Sequence, residues 1–157
     1  MTPADAIVVA INPALLMLPA KMDSTPARAM LLAIGLQESE FKYRRQLSGP
    51  ARGYFQFERM GGVAGVMQHR ATALLLAEVT GRLDYPLQVD VLYDAIEHND
   101  VLAAVFARLL LWTIPEPLPG PHRADEGWRQ YIEGWRPGKP HVERWWSRYA
   151  IAWEAVT

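Results

Sequence analysis

The chain has 157 residues, with 16 Lys and Arg against 17 Asp and Glu, and it contains no cysteine. At that length a single domain with a sizeable core is expected, and 50% hydrophobic against 21% charged residues excludes a disordered chain. A net charge of −1 offers no overall pull toward nucleic acid or anionic membrane, and the lack of cysteine excludes disulfides, thiolate metal sites and cysteine nucleophiles.

Residues 6–11 and 14–18 are apolar, but the only charge before Lys21 is Asp5, whereas a secretory leader needs a basic start. Asn12, Pro13 and Pro19 interrupt any spanning helix. Two short core helices are therefore expected, with no signal peptide and no membrane insertion; an extracytoplasmic destination would need another route. Thr25-Pro26 reads as an N-cap followed by proline at the first helical position, opening a helix over 26–39. Residues 41–53 are polar and basic and carry Gly49-Pro50, the composition of a loop. Tyr54-Phe55-Gln56-Phe57-Glu58 alternates with period two and predicts a short extended piece. Helices are expected near 60–69, 71–80, 87–97 and 99–113, with the break Leu83-Asp84-Tyr85-Pro86 and a cap-like Asn99 between the later ones. The run 114–121 holds four prolines and reads as a connector. Two last helices, over 123–133 and 141–156, flank the turn Arg136-Pro137-Gly138-Lys139-Pro140. The expected fold class is all-α, mainly helical, as one domain over 1–157 with a minor extended element.

One helix carries a conflict. At 100° per residue Glu38 falls within about 20° of Leu31 and about 40° of Ile34, so a carboxylate continues the apolar stripe Ala27-Leu31-Ile34 at the helix C-terminus. Desolvation and the negative end of the helix dipole both disfavour its charge and raise its pKa, as a general acid near neutral pH requires. A Glu at a fraying helix end that bends into solvent is the bland alternative. The extended piece offers it neighbours: alternation puts Tyr54, Gln56 and Glu58 on one face, suited to hydrogen bonding a polyhydroxylated ligand, and Phe55 and Phe57 on the other.

These segments together resemble a known family. Gln37-Glu38-Ser39-Glu40-Phe41 is similar to the Glu-Ser-x-Phe motif of lytic transglycosylases and goose-type lysozymes. Gly53-Tyr54-Phe55-Gln56, beginning fifteen residues beyond Glu38, resembles their Gly-x-x-Gln motif, and Ser48-Gly49-Pro50-Ala51-Arg52 resembles the small-residue loop before it. Tyr131-Ile132-Glu133-Gly134 looks like a degenerate Tyr-Asn-x-Gly motif, with Ile132 where the family has Asn. The close match covers residues 37–57. The tail around Trp135-Arg136-Pro137-Gly138-Lys139-Pro140 looks more like phage or prophage members than cell-envelope enzymes.

The resemblance implies a lysozyme-like fold and cleavage of the MurNAc-β-1,4-GlcNAc bond of peptidoglycan, with Glu38 as general acid and base. The substrate's own 6-hydroxyl would attack, leaving 1,6-anhydro ends. Ser39, Tyr54, Gln56 and Tyr131 would position substrate or Glu38, and no cofactor or metal is implied. Glu58 keeps hydrolysis open: as a second carboxylate with room for a water, about 6.5–9.5 Å away, it would make an inverting lysozyme. A non-catalytic glycan-binding or structural virion module is the alternative from another class. A phage member would be virion-associated, with a virion or tail protein as partner, or delivered to the periplasm or cell wall.

Other residue groups carry less. Asp90, Asp94 and Glu97 with His98 share a helix face and read as a solvated acidic surface rather than a hard-cation site. Lys42, Arg44, Arg45, Arg52 and Arg59 form a basic stretch beside the expected cleft, suited to the carboxylates of peptidoglycan stems or simply solvated. A nucleic-acid role is the weaker reading, because the aromatics of this stretch do not alternate with the charges in the manner of a stacking groove. Of the six Trp, Trp146 and Trp153 with Tyr149 fit a packing stripe, and Trp128 and Trp135 fit either core or sugar stacking.

Overall fold

In the computed structural model, which describes residues 1–157, the chain opens with one broken helical run rather than two separate helices. It comprises α1 (Pro3–Ala6), a π-helical turn (Ile7–Ile11) and α2 (Asn12–Leu16). Pro13 accounts for the break, because it lacks the N–H for a helical bond and its ring crowds the preceding turn. The widened turn sends the Asn12 N–H to the Ile7 carbonyl instead. After a short 3₁₀ turn (Ala20–Met22), α3 (Thr25–Glu38) begins. Its cap is Ser24 rather than Thr25: the Ser24 hydroxyl accepts from the Ala27 N–H at 3.2 Å, placing Thr25 and Pro26 in the first turn. Ala27 and every residue from Ala29 to Gly35 are buried, so α3 is surrounded until its last turn.

A π-helical turn (Arg59–Val63) leads into α4 (Ala64–Gln68), followed by α5 (Ala73–Arg82) and α6 (Val89–His98). Next comes α7 (Asp100–Trp112), the second enclosed helix, where Leu102 to Leu109 are all buried. Asn99 caps it as expected, its side-chain oxygen accepting from the Leu102 N–H at 3.0 Å. After the proline connector come α8 (Ala124–Trp135) and α9 (Val142–Val156). The longest helix contact is α9 along α3, with α7 on another side of α3 and α8 against α9.

With 64% of residues helical and no sheet, the molecule is all-α. The expected extended element is a correction. Residues 53–56 form a tight turn closed by paired bonds between Arg52 and Phe57, each N–H donating to the other's carbonyl at 2.9 Å. Gly53 (φ 72°) and Gln56 (φ 52°) take left-handed backbone, so alternation fails and Tyr54, Phe55 and Phe57 are all buried. In the tail stripe Tyr149 and Trp153 are buried as expected, but the third member is Trp145, 0% exposed, rather than Trp146, 49% exposed. Trp145, Tyr149, Ala152 and Trp153 form the face of α9 that covers α3. No helix is long and apolar enough to cross a membrane.

Candidate active site

Glu38 is the last residue of α3. The chain then reverses through Glu40 (φ 52°) and Phe41 (φ 53°) and lays the Phe41 ring back on the helix. Only glycine at position 35 permits this, since a Cβ there would lie 2.0 Å from Phe41 Cζ. Ser39, 4% exposed, ties the reversal to the next segment: its hydroxyl donates to the Tyr54 carbonyl at 2.7 Å and accepts from the Phe41 N–H at 3.1 Å. The two motifs that flank the loop are thus joined at their backbones, and the Gly53 turn is held beside the end of α3.

Glu38 is half-buried, and its Oε1 accepts a 2.6 Å hydrogen bond from the Tyr131 hydroxyl on α8. Burial raises the Glu38 carboxyl from 4.5 to about 7, against the opposing effect of that hydrogen bond, which favours the charged form. Burial beside Glu38 pushes the Tyr131 hydroxyl far above its ordinary value, so Tyr131 is a fixed donor. Its ring is stacked on Trp145 at 5.3 Å and 10°, and Trp128 and Trp135 adjoin it.

Glu38 lies on the wall of a cleft of about 1110 Å³. One side is the Gly53 turn and the start of the 59–68 helix, contributing Gln56, Phe57, Glu58 and Met60; the other is the end of α8 and the turn to α9, contributing Glu133, Trp135 and His141. Gln56 lines this cleft, with its amide nitrogen held at 2.8 Å by the Gly53 carbonyl. Glu58 is exposed and lines it too. Tyr131 reaches it only through Glu38.

Ser39 and Tyr54, expected to position substrate or Glu38, do not line the cleft. Tyr54 is 5% exposed, packed edge-on to Phe41 at 5.5 Å with the Arg44 guanidinium 4.4 Å from its ring centre. The tight turn replaces the strand, so its hydroxyl no longer shares a face with Gln56. Both residues shape the loop through these contacts.

The basic stretch and the acidic face, read separately from sequence, are one interface. Arg45 binds Glu97 through two hydrogen bonds at 2.7 and 2.9 Å, and Arg52 approaches the same carboxylate at 3.7 Å. Arg44 binds Asp100 through two bonds at 3.0 and 2.9 Å, and Arg59 pairs with Asp90. These arginines clamp the loop onto α6 and the start of α7, and Lys42 is paired with Glu40 at 2.7 Å.

Glu133 carries no expectation from sequence, and Trp135, for which sequence left core and sugar stacking both open, lines the cleft. Glu133 lies two residues after Tyr131, at the variable position of the degenerate motif. Trp135 donates its indole N–H to the Phe55 carbonyl at 2.9 Å and meets Phe57 edge-on at 5.8 Å, bridging the two cleft walls. A lone Trp at a helix end gave no signal separating core from cleft. Compared with protein-family models, curated proteins and solved structures, the chain has no match.

Proposed function

We propose that this protein is a lysozyme-like lytic transglycosylase that cleaves the MurNAc-β-1,4-GlcNAc bond of peptidoglycan glycan strands. The observation that carries this reading is Glu38: a carboxyl raised to about 7 at a helix end, on the wall of an open cleft, with one fixed donor on Oε1. Such a group is protonated often enough at neutral pH to act as an acid and basic enough to take the proton back.

In the proposed reaction Glu38 gives its proton to the glycosidic oxygen as the C1–O bond breaks, and the GlcNAc fragment departs with a 4-hydroxyl. The MurNAc 6-hydroxyl oxygen then bonds to C1 while its proton passes to Glu38. The product is a 1,6-anhydro end, no water is consumed, and Glu38 returns to its acid form. Tyr131 orients the carboxyl, and Gln56 presents an amide to the sugar. The second reading, hydrolysis by the same cleft, is favoured by the carboxylates Glu58 and Glu133, either of which could activate water.

The test is Glu38→Gln on purified peptidoglycan. Release of muropeptides should vanish while folding and wall binding persist; equal release by the variant would overturn the assignment. Mass spectrometry of wild-type products separates anhydro ends from the reducing ends of hydrolysis. A wild type that binds walls but releases nothing would be a glycan-binding or virion module instead.

A further inference from the structure

A second cavity, of about 500 Å³, lies between the start of α3, the end of α7 and the proline connector, away from Glu38. Most of its wall is apolar, including Leu111, Trp112 and Pro115, yet two cations face it, Lys21 and Arg108. Arg108 is only 3% exposed. Its Nε donates to the Met22 carbonyl at 2.9 Å, but no protein acceptor meets either Nη. The nearby carboxylate, Asp23, is taken by Arg28 at 2.6 Å. Lys21 is likewise without an ion pair, and both cations crowd one indole, Lys21 Nζ 5.5 Å and Arg108 Cζ 5.2 Å from the Trp112 ring centre.

The two Nη atoms are not sealed from solvent, so the fork opens onto the cavity, where an anion would complete it. Burial already pulls the Arg108 pKa down to about 10. The remaining charge in the lining, Glu116, is engaged by Arg129 at 2.9 Å. With Glu116 engaged by Arg129, Lys21 and Arg108 leave the lining with unbalanced positive charge that an anion would offset. The planar Nη pair matches a carboxylate in bidentate geometry, and the Trp112 and proline walls suit an apolar body. We propose that this cavity binds a small organic monocarboxylate, with its carboxylate on Arg108 and Lys21 and its apolar body against Trp112.

The test uses the whole chain, titrated with benzoate, benzamide and inorganic phosphate. The readout is the Trp112 indole N–H resonance, assigned by its loss in Trp112→Phe. Benzoate should shift it saturably, with a Kd at or below about 1 mM. Uncharged benzamide should leave it in place. Lys21→Gln, a change at an exposed residue, should weaken benzoate about fivefold, and Arg108→Lys should weaken it further by removing the fork. No saturable shift with benzoate, an equal shift with benzamide, or tighter binding of phosphate would each overturn the proposal. So would unchanged benzoate affinity in Lys21→Gln. The benzamide and Lys21→Gln arms decide the matter even where substitution of buried Arg108 prevents folding.

Discussion

The Glu38 carboxyl sits between two opposing influences, burial that raises its pKa and the Tyr131 hydroxyl that lowers it. Removing the hydroxyl with Tyr131→Phe leaves burial alone, so the Glu38 midpoint should move above about 7, read as the side-chain carboxyl carbon shift against pH. Leaving that oxygen without its donor should cost about 1–3 kcal/mol of stability. A midpoint that falls would mean the hydrogen bond does not favour the charged form. Stability carries a second signature of the same group. Its folded value lies above the ordinary 4.5, so the folded protein retains a proton that the unfolded chain releases. That contribution is complete below pH 4.5 and is lost as pH rises through about 7. Its size is on the order of 3 kcal/mol. Denaturant unfolding of wild type and Glu38→Gln at pH 5 and pH 8 should therefore converge in favour of the variant at the higher pH; parallel pH dependence in the two would refute the shift.

At the scale of elements, helices were the most legible feature, because caps and apolar periodicity act locally. Asn99 starts α7 where expected, and the Ser24 cap moves the start of α3 by a single residue. What failed was local pattern overruled by backbone geometry. Tyr54 to Glu58 has the alternation of a strand, but the left-handed residues Gly53 and Gln56 fold it into a turn, and all three aromatics go inward. Glu38 was legible as a conflict on an apolar stripe; Ser39 and Tyr54 were not, since their partners are backbone carbonyls and neighbouring rings. The charge clamp was hidden because its halves lie about fifty residues apart, Arg45 with Glu97 and Arg44 with Asp100. It holds the loop between the two motifs. Glu97→Gln removes the charge shared by Arg45 and Arg52, so hydrogen exchange at the Gln46 and Gly53 amides, bonded to the Ala51 and Arg44 carbonyls, should accelerate by about tenfold. High salt should produce part of that effect in wild type. Unchanged exchange would show that Ser39 and the Gly53 turn hold the loop unaided.

For the molecule as a whole, the site depends on long-range packing that no local pattern encodes. Glu38 and Tyr131 are 93 residues apart in sequence, and what brings them together is α9 laid along α3. Trp145 is the keystone of that arrangement: fully buried, its indole N–H donates to the Ala124 carbonyl at 2.8 Å, and its ring stacks on Tyr131. Trp145→Ala should lose about 3–5 kcal/mol through the cavity it leaves, and the Tyr131 ring should lose the surface that fixes its hydroxyl on Glu38. The Glu38 midpoint should then rise as in Tyr131→Phe, although residue 145 does not hydrogen-bond Glu38. Trp145→Phe, which keeps a stacking ring but not the indole donor, should lose less stability and leave the midpoint near about 7. If Trp145→Ala lowers stability while the midpoint stays in place, Tyr131 is held by α8 alone, and the aromatic stack serves the core rather than the carboxyl.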